Sequence, residues 1–420
     1  GPITQWSAHG RLITELLRLT IGGETRNDDA ASGARQVSHL GFHDLSGQLR
    51  AALEQYAGVR LIPFSLIGLL AAGYILLIGP ADYFVLRHFR RMSWTWLTFP
   101  LIIGLFCAIS IYLATQWKGR EVRVNQVDLV DYDLHRGLIR GTTWCHLFSP
   151  RDATYDVSLT VRQDQLPEAE TDRARAEMIL SWHGLPGGDF GGMDTELSTG
   201  AELEPYRLMY TATHMAFGPR ILQTQIERVP LPIWSSRAFQ GRWTRKAPDG
   251  LGMDIQATPA AYLEGRVHNP FPFRIHGAKL LFGRWYYSLG ELDAHETFDL
   301  DASRPESLRN WLTRKELIDG RDISTPWDRA SLDVPRIMEM LMFYDYAGGY
   351  TYTELNHRFQ PWLDMSNHLA NGRAILLART DQQLTDTSLN GELPSDDAMQ
   401  RWTFVRVVCP VASTRDGSVE

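Results

Sequence analysis

The chain is poor in the residue patterns that announce chemistry, and each shortage excludes something. It has three cysteines in 420 residues, Cys107, Cys145 and Cys409. No two of them share a Cys-x-x-Cys spacing, which excludes a disulfide framework, a zinc ribbon and a thioredoxin-like redox motif. Thirteen histidines are scattered without a His-Glu-x-x-His or His-x-His pair, so no local metal motif exists. Phosphate-cradling loops are missing too, because the Gly22-Gly23 pair has neither a preceding strand nor a following Lys-Ser/Thr. No Gly-x-Ser-x-Gly elbow or Ser-x-x-Lys pattern occurs. Basic charge is in deficit, with 42 Lys and Arg against 49 Asp and Glu, so the footprint of a nucleic-acid-binding protein is absent. The acidic groups Asp128, Asp131 and Asp133, and Asp299 with Asp301, lack the glycine and distal glutamate of a calcium loop and read as solvated turns. His183 with Asp189 and Ser181 or Ser198 makes a hydrolytic set of the kind any long chain offers by chance. Neither a metal, a cofactor nor a catalytic residue is expected.

Charge itself is missing from two stretches. Between Arg60 and Asp82 the only ionisable side chain is Tyr74, and between Arg91 and Lys118 only Cys107 and Tyr112. Each run reaches the roughly 20 apolar residues needed to cross a hydrocarbon core. The pattern predicts a transmembrane hairpin over 60–118, with spans of about 61–81 and 95–117 and a tip at 82–94. Its tip carries Arg87, Arg90 and Arg91 against one acid, Asp82. Tyr83, Trp94 and Trp96 fall where an interfacial aromatic belt belongs on the tip side, and Trp117 falls there on the other. Positive charge beside short loops stays cytoplasmic, so both flanks are expected outside a bacterial inner membrane, in the periplasm. The expected partners are membrane lipid and a protein, with no nucleic acid.

Before the hairpin, residues 3–20 place Leu12, Leu16 and Leu19 near one helical face, 21–40 read as a loop, and 44–57 resume a helix closing at Gly58. The first residues are already mid-pattern, without an initiating Met or signal peptide, as in a segment of a longer or processed protein. After Lys118 the period changes to two. Val122 and Val124 alternate with Arg123, and Val127 and Leu129 follow a phase slip at Asn125-Gln126 that predicts a bulge. The cleanest strand signal is Tyr155, Val157, Leu159 and Val161. Short strand-like runs recur at 179–182, 207–211, 251–257, 262–267, 278–282, 284–289, 374–378 and 403–408. They predict mostly antiparallel, sandwich-like sheets. Helical inserts are expected at Pro167–Met178, after Ser303 with capping-box spacing, and from Asp333-Val-Pro335. The fold class expected is an α+β membrane protein. Its segments are 1–59, the hairpin, a β-rich domain at 119–225, an immunoglobulin-like segment at 226–303 and a closing α+β segment at 304–420.

Several stretches carry a resemblance. The hairpin GPADYFVLRHFRRMSWTWLTFP, then VNQVDLVDYD, RGTTWCHLFSPR, LEGRVHNPFPFRIHGAKLLFGRWYYSLGEL and MSNHLANGRAILLAR resemble a group of uncharacterised bacterial envelope proteins. In that group an exported domain similar to class I glutamine amidotransferases precedes a membrane hairpin and a β-rich exported domain. The opening GPITQWSAHGRLITELLRL resembles the last helix of such a domain. The resemblance implies architecture and assigns no functional residue.

The reading favoured is a non-enzymatic, membrane-anchored envelope scaffold or complex-assembly protein whose β-rich region binds a protein partner. An envelope-polymer hydrolase and an accessory subunit of a transport or secretion complex are the alternatives. Trp234, Trp243, Tyr344, Tyr346, Tyr350 and Tyr352 are candidate contacts, since Trp and Tyr dominate interface energies. Cys145 and Cys409 either pair as a disulfide or stay as two buried thiols.

Overall fold

A computed structural model describes residues 42–59, 64–90, 92–119, 121–167, 176–184, 207–215, 218–248, 253–318 and 321–413. The expected helix at 3–20, the loop at 21–40 and most of the insert at 167–178 lie outside them. The chain divides into Gly1–His43 and a compact unit, Asp44–Glu420, whose fold follows.

The unit opens with α1 (Leu45–Leu53), capped by the Asp44 carboxylate, which accepts the Ser46 N–H. Leu45, Leu49, Ala52 and Leu53 are buried along its apolar side. The hairpin begins at α2 (Phe64–Leu76). A π-helical turn at Leu77–Ala81 carries it past Pro80, whose ring cannot accommodate a regular α ladder. It continues as α3 (Asp82–His88), so the first long helix runs through most of the segment expected as a tip. The reversal itself is confined to a few residues around Arg90, which sits at φ 56. The return helix is α4 (Thr95–Lys118). Ser65–His88 and Met92–Leu113 are long and apolar enough to cross a membrane, and almost none of either is buried.

The strands that follow are β1 (Arg123–Asp133), β2 (Leu138–Ser149), β3 (Ala153–Val161), β4 (Glu177–Trp182), β5 (Arg207–Met215), β6 (Gly218–Leu231) and β7 (Ser235–Lys246). Next come β8 (Asp254–Ala257), β9 (Leu263–His268), β10 (Ile275–Phe282), β11 (Trp285–Leu292), β12 (Thr297–Asp299) and β13 (Pro305–Ser307). A helical layer follows: α5 (Leu308–Thr313), the hairpin β14 (Lys315–Ile318) and β15 (Arg321–Ser324), α6 (Val334–Met342), α7 (Tyr344–Ala347), α8 (Tyr350–Thr353) and α9 (Ser366–Ala370). The chain closes with β16 (Ala374–Thr380), β17 (Thr385–Leu389), β18 (Met399–Cys409) and β19 (Ala412–Ser413).

Among the described residues, thirteen strands join in one sheet running β13-β11-β10-β16-β18-β1-β2-β7-β4-β6-β3-β17, with β5 attached to β6. Pairing is mostly antiparallel, but β1 and β18 run parallel over their length. Strands from 119–225, 226–303 and 304–420 therefore share one sheet, and the expected segment boundaries do not separate domains. A small sheet, β12-β9-β8-β19, accompanies it. At Gly265, φ is +114 and a Cβ would stand 2.2 Å from the Asp254 carbonyl oxygen, so only glycine permits the β8–β9 approach.

The two faces of β1 show the layering. Its even-numbered residues look toward the second β-layer: Val124, Val130 and Tyr132 join the main apolar core, and Gln126 donates to the Thr385 carbonyl at 2.7 Å. The last strand of the sheet, β17, thus lies against the side chains of β1 near its centre. Odd-numbered residues look toward the helices, where Asn125 donates to the carbonyls of Leu53 and Gln55 at 2.8 and 3.0 Å. The predicted bulge at Asn125-Gln126 is absent, since β1 keeps unbroken register with both β2 and β18. A strand buried on both faces loses its alternation, and this mimics a phase slip. The capping helix also starts later than predicted: Ser303–Glu306 enters β13, and Ser307 caps α5 by accepting the Asn310 N–H. The helix from Asp333 forms as predicted, with Asp333 as its cap.

Candidate functional site

The helix-facing side of the sheet gathers several buried polar atoms that lack a hydrogen-bond partner among the described residues. His146 lies on β2, fully buried, and His183 follows β4 at 9% exposure. Register places His146 opposite Asn125, and Ala238 of β7 beside it; the β4–β7 pairing then brings His183 alongside. The imidazole centroids are 5.8 Å apart with planes at 64°. Gln360 brings its amide to 3.4 Å from His183 Nε2. Both nitrogens of His146, Nδ1 of His183, Nε2 of Gln240 and Oε1 of Gln360 have no hydrogen-bond partner among the described residues.

Cations border the pair. Arg50 of α1 donates to the His183 carbonyl and pairs with Glu54 at 3.1 Å. Arg242 stacks its guanidinium 3.7 Å from the Trp362 ring centroid. Burial first, then repulsion from Arg50 and Arg242, pushes the His183 pKa down to about 3. Burial, with His183 and Arg50 adding to it, holds His146 well below its ordinary value. Two neutral imidazoles can accept a proton or ligate, but the neighbouring nucleophile is occupied: Ser181 donates its hydroxyl to the Gln240 carbonyl at 3.2 Å. Asp189 and Ser198 lie outside the described residues. No local signal marked this pair; His146 stood out only by sitting between Trp144 and Phe148 in an apolar run.

On the other face, a buried polar network joins β1, β2 and β17. Asp128 accepts from Thr143 at 2.6 Å and from Gln126 at 2.9 Å. Thr387 donates to Gln126 at 2.7 Å. Burial raises the Asp128 pKa to about 6, while the donated hydrogen bonds oppose the rise. Asp131 points the opposite way, into a two-pronged pair with Arg406 at 2.6 and 2.9 Å. Arg406 is fully buried and also donates to the Leu363 carbonyl at 2.5 Å. The pleat therefore divides the acidic group of β1 between two layers, and Asp133 accepts the Arg136 N–H. Asp299 caps a short turn by accepting the Asp301 N–H at 3.1 Å. Among the described residues no three His, Cys, Asp or Glu side chains are placed to hold a metal ion.

The expected contact residues separate. Trp234 and Tyr350 are exposed, whereas Trp243 is 2% exposed and belongs to the core. Its indole fills the space above Gly141, where a Cβ would meet the ring at 2.0 Å. Tyr344 and Tyr352 are half-buried and tied through their hydroxyls to the carbonyls of Leu355 and Thr325 at 2.7 and 2.8 Å; Tyr346 is half-buried as well. Cys145 and Cys409 are free thiols. Of the two alternatives left by the sequence they take the second, buried thiols: Cys145 lies against Thr387 and Cys409 against Met253. On the hairpin, Arg87 donates to the Tyr83 hydroxyl at 3.2 Å. Trp94 and Trp96 are exposed. Arg91 and the Trp117 side chain lie outside what is described.

These features define an α+β protein with mostly antiparallel sheets and two apolar helices long enough to span a membrane. A family described as "Domain of unknown function (DUF8725)" matches residues 251–405, which take in β8, β9 and β12 of the small sheet, the helical layer and most of β18. No curated protein matches the chain. Among solved structures, the chain is similar to "Yeast delta-COP-I mu-homology domain complexed with Dsl1 WxWxV peptide", at 6% identity and a TM-score of 0.24, over 69% of this chain and 95% of that one. A score at that level carries no argument about fold or partner.

Proposed function

We propose that the chain is a membrane-anchored scaffold of the bacterial cell envelope, held in the inner membrane by the helical hairpin. The observation that carries this reading is the outward presentation of apolar side chains on two successive helices. Leu97, Leu101 and Ile111 are 68%, 70% and 66% exposed, and Trp96 is 90% exposed. A water-soluble surface does not sustain a continuous apolar area of that size, whereas a bilayer supplies the matching solvent. The arginines at the reversal set the tip in the cytoplasm and the β-rich body in the periplasm. The body is the part that meets a protein partner, with exposed aromatics along 350–362, Tyr350, Phe359 and Trp362, as its contacts.

Single cysteines at Ser93 and His135, both exposed, test the anchor on a Cys107→Ser background. A membrane-impermeant maleimide added to spheroplasts is expected to label His135→Cys and spare Ser93→Cys. The reverse pattern overturns the orientation, and labelling of both overturns the crossing. Affinity purification from detergent-solubilised membranes is expected to recover a stoichiometric protein, with Tyr350→Ala weakening its retention. A chain that purifies alone sinks the scaffold reading.

A further inference from the structure

One end of the central sheet carries an apolar rim, and it is the end from which the hairpin departs. Four residues separate the end of α4 at Lys118 from the start of β1 at Arg123. The incoming connection lies at the same end, where Tyr56 packs its ring 5.3 Å from Phe148, the residue paired with Arg123. Strand register places two further turns there. Ser149 pairs with Ser235, which brings the β6–β7 turn to this level, and Val124 pairs with Met399, which brings the loop before β18. Arg123 fastens that loop by donating to the Asp397 carbonyl at 2.5 Å.

Both turns end in exposed apolar side chains. Ile233 is 53% exposed, Trp234 41% and Leu393 58%. Trp234 sits at φ 59, in the left-handed region that a bulky side chain rarely occupies. Its backbone is held there by donation to the Ser149 carbonyl at 2.8 Å, and this posture leaves the indole outside the core. The opposite end of the sheet is different in kind: its turns carry His135, Arg136 and Asn371, all exposed. The charges near the rim are mixed, with Arg151 and Asp152 in the adjoining β2–β3 turn and Asp396, in the loop before β18, paired to Arg401 at 2.7 Å. Attachment to an anionic surface is therefore not what this end is built for.

We propose that this rim rests in the headgroup layer of the bilayer that the hairpin crosses, with Ile233, Trp234 and Leu393 as shallow anchors. The proposal rests on the membrane reading of the hairpin. Continuity is its main support, because a short connection on each side keeps this end of the sheet close to where the helices leave the hydrocarbon. Trp is suited to that depth, with an apolar ring and a polar N–H. The rim would fix the tilt of the body on the membrane.

Depth measurements on the full chain in phosphatidylcholine nanodiscs test this. A nitroxide is placed at Ile233→Cys and, separately, at His135→Cys, both with Cys107→Ser; a third sample carries it on native Cys107. Cys145 and Cys409 are buried and stay unlabelled. Collision rates with oxygen and with a water-soluble nickel chelate are compared. The expected result is an oxygen-favoured ratio at Cys107, an intermediate one at 233 and a nickel-favoured one at 135. If Cys107 is oxygen-favoured while 233 matches 135, the hairpin reading stands and the rim proposal is overturned. If Cys107 is nickel-favoured, both fall. A label at 233 shielded from both reagents shows a protein contact in place of lipid and also overturns the proposal.

Discussion

Asp131 and Arg406 form the most deeply placed ion pair among the described residues, with the guanidinium fully buried and the carboxylate side chain 13% exposed. Such a pair adds little net stability over an apolar replacement, but removing one partner strands the other. Asp131→Ala is therefore expected to cost roughly 3–5 kcal/mol in urea unfolding, while joint replacement of Asp131 and Arg406 by apolar residues costs less than the single change. The histidine pair answers to pH. His146 and His183 take up protons in the unfolded chain near 6.5 but resist them when folded. The His183 contribution is complete well above pH 6.5 and drains away as the pH falls toward about 3, and that of His146 is lost in the same direction. His183 is expected to remove about 1.4 kcal/mol of stability by pH 5.5, with His146 adding to the loss. Melts from pH 7.5 to 5 check this, and His183→Asn should make the decline shallower. An unchanged slope in that variant would show that other groups control the acid limb.

At the scale of elements, the close meeting of β2 and β7 depends on Gly141. Trp243 lies across it from the neighbouring strand, so Gly141→Ala drives a methyl group into the indole and is expected to cost about 1–3 kcal/mol by overpacking. A double-mutant cycle with Trp243→Leu should recover much of that loss; additive losses would mean that the two do not touch. The same strands explain what could be read in advance. β3 is legible because one face is buried and the other is not, so Val157, Leu159 and Val161 alternate with polar neighbours. β2 is not, because its second half is buried on both faces and reads TWCHLFS with no period of two. Asn125 and Gln126 looked like an irregularity for a related reason: each is a buried polar residue serving a different layer. The apolar helices were legible outright, since length and lack of charge define them without any neighbour. His146 and His183 were not, because only the pairing of β2, β7 and β4 brings them together.

For the whole molecule, the central position of β18 has a consequence in time. β18 lies between β1 and β16, parallel to β1 and antiparallel to β16, so the strand joining the two halves of the sheet is made from residues 399–409, nearly three hundred positions after its neighbour. Loops of that length close slowly, and contacts so distant in sequence delay folding. During synthesis both apolar helices emerge before the strands, and β1 to β7 form one contiguous block of the sheet before β18 exists. Until β18 is made, the β1 edge it covers stays open. The nascent body therefore stays an incomplete sheet, with an open β1 edge exposed to aggregation, until its last long strand arrives.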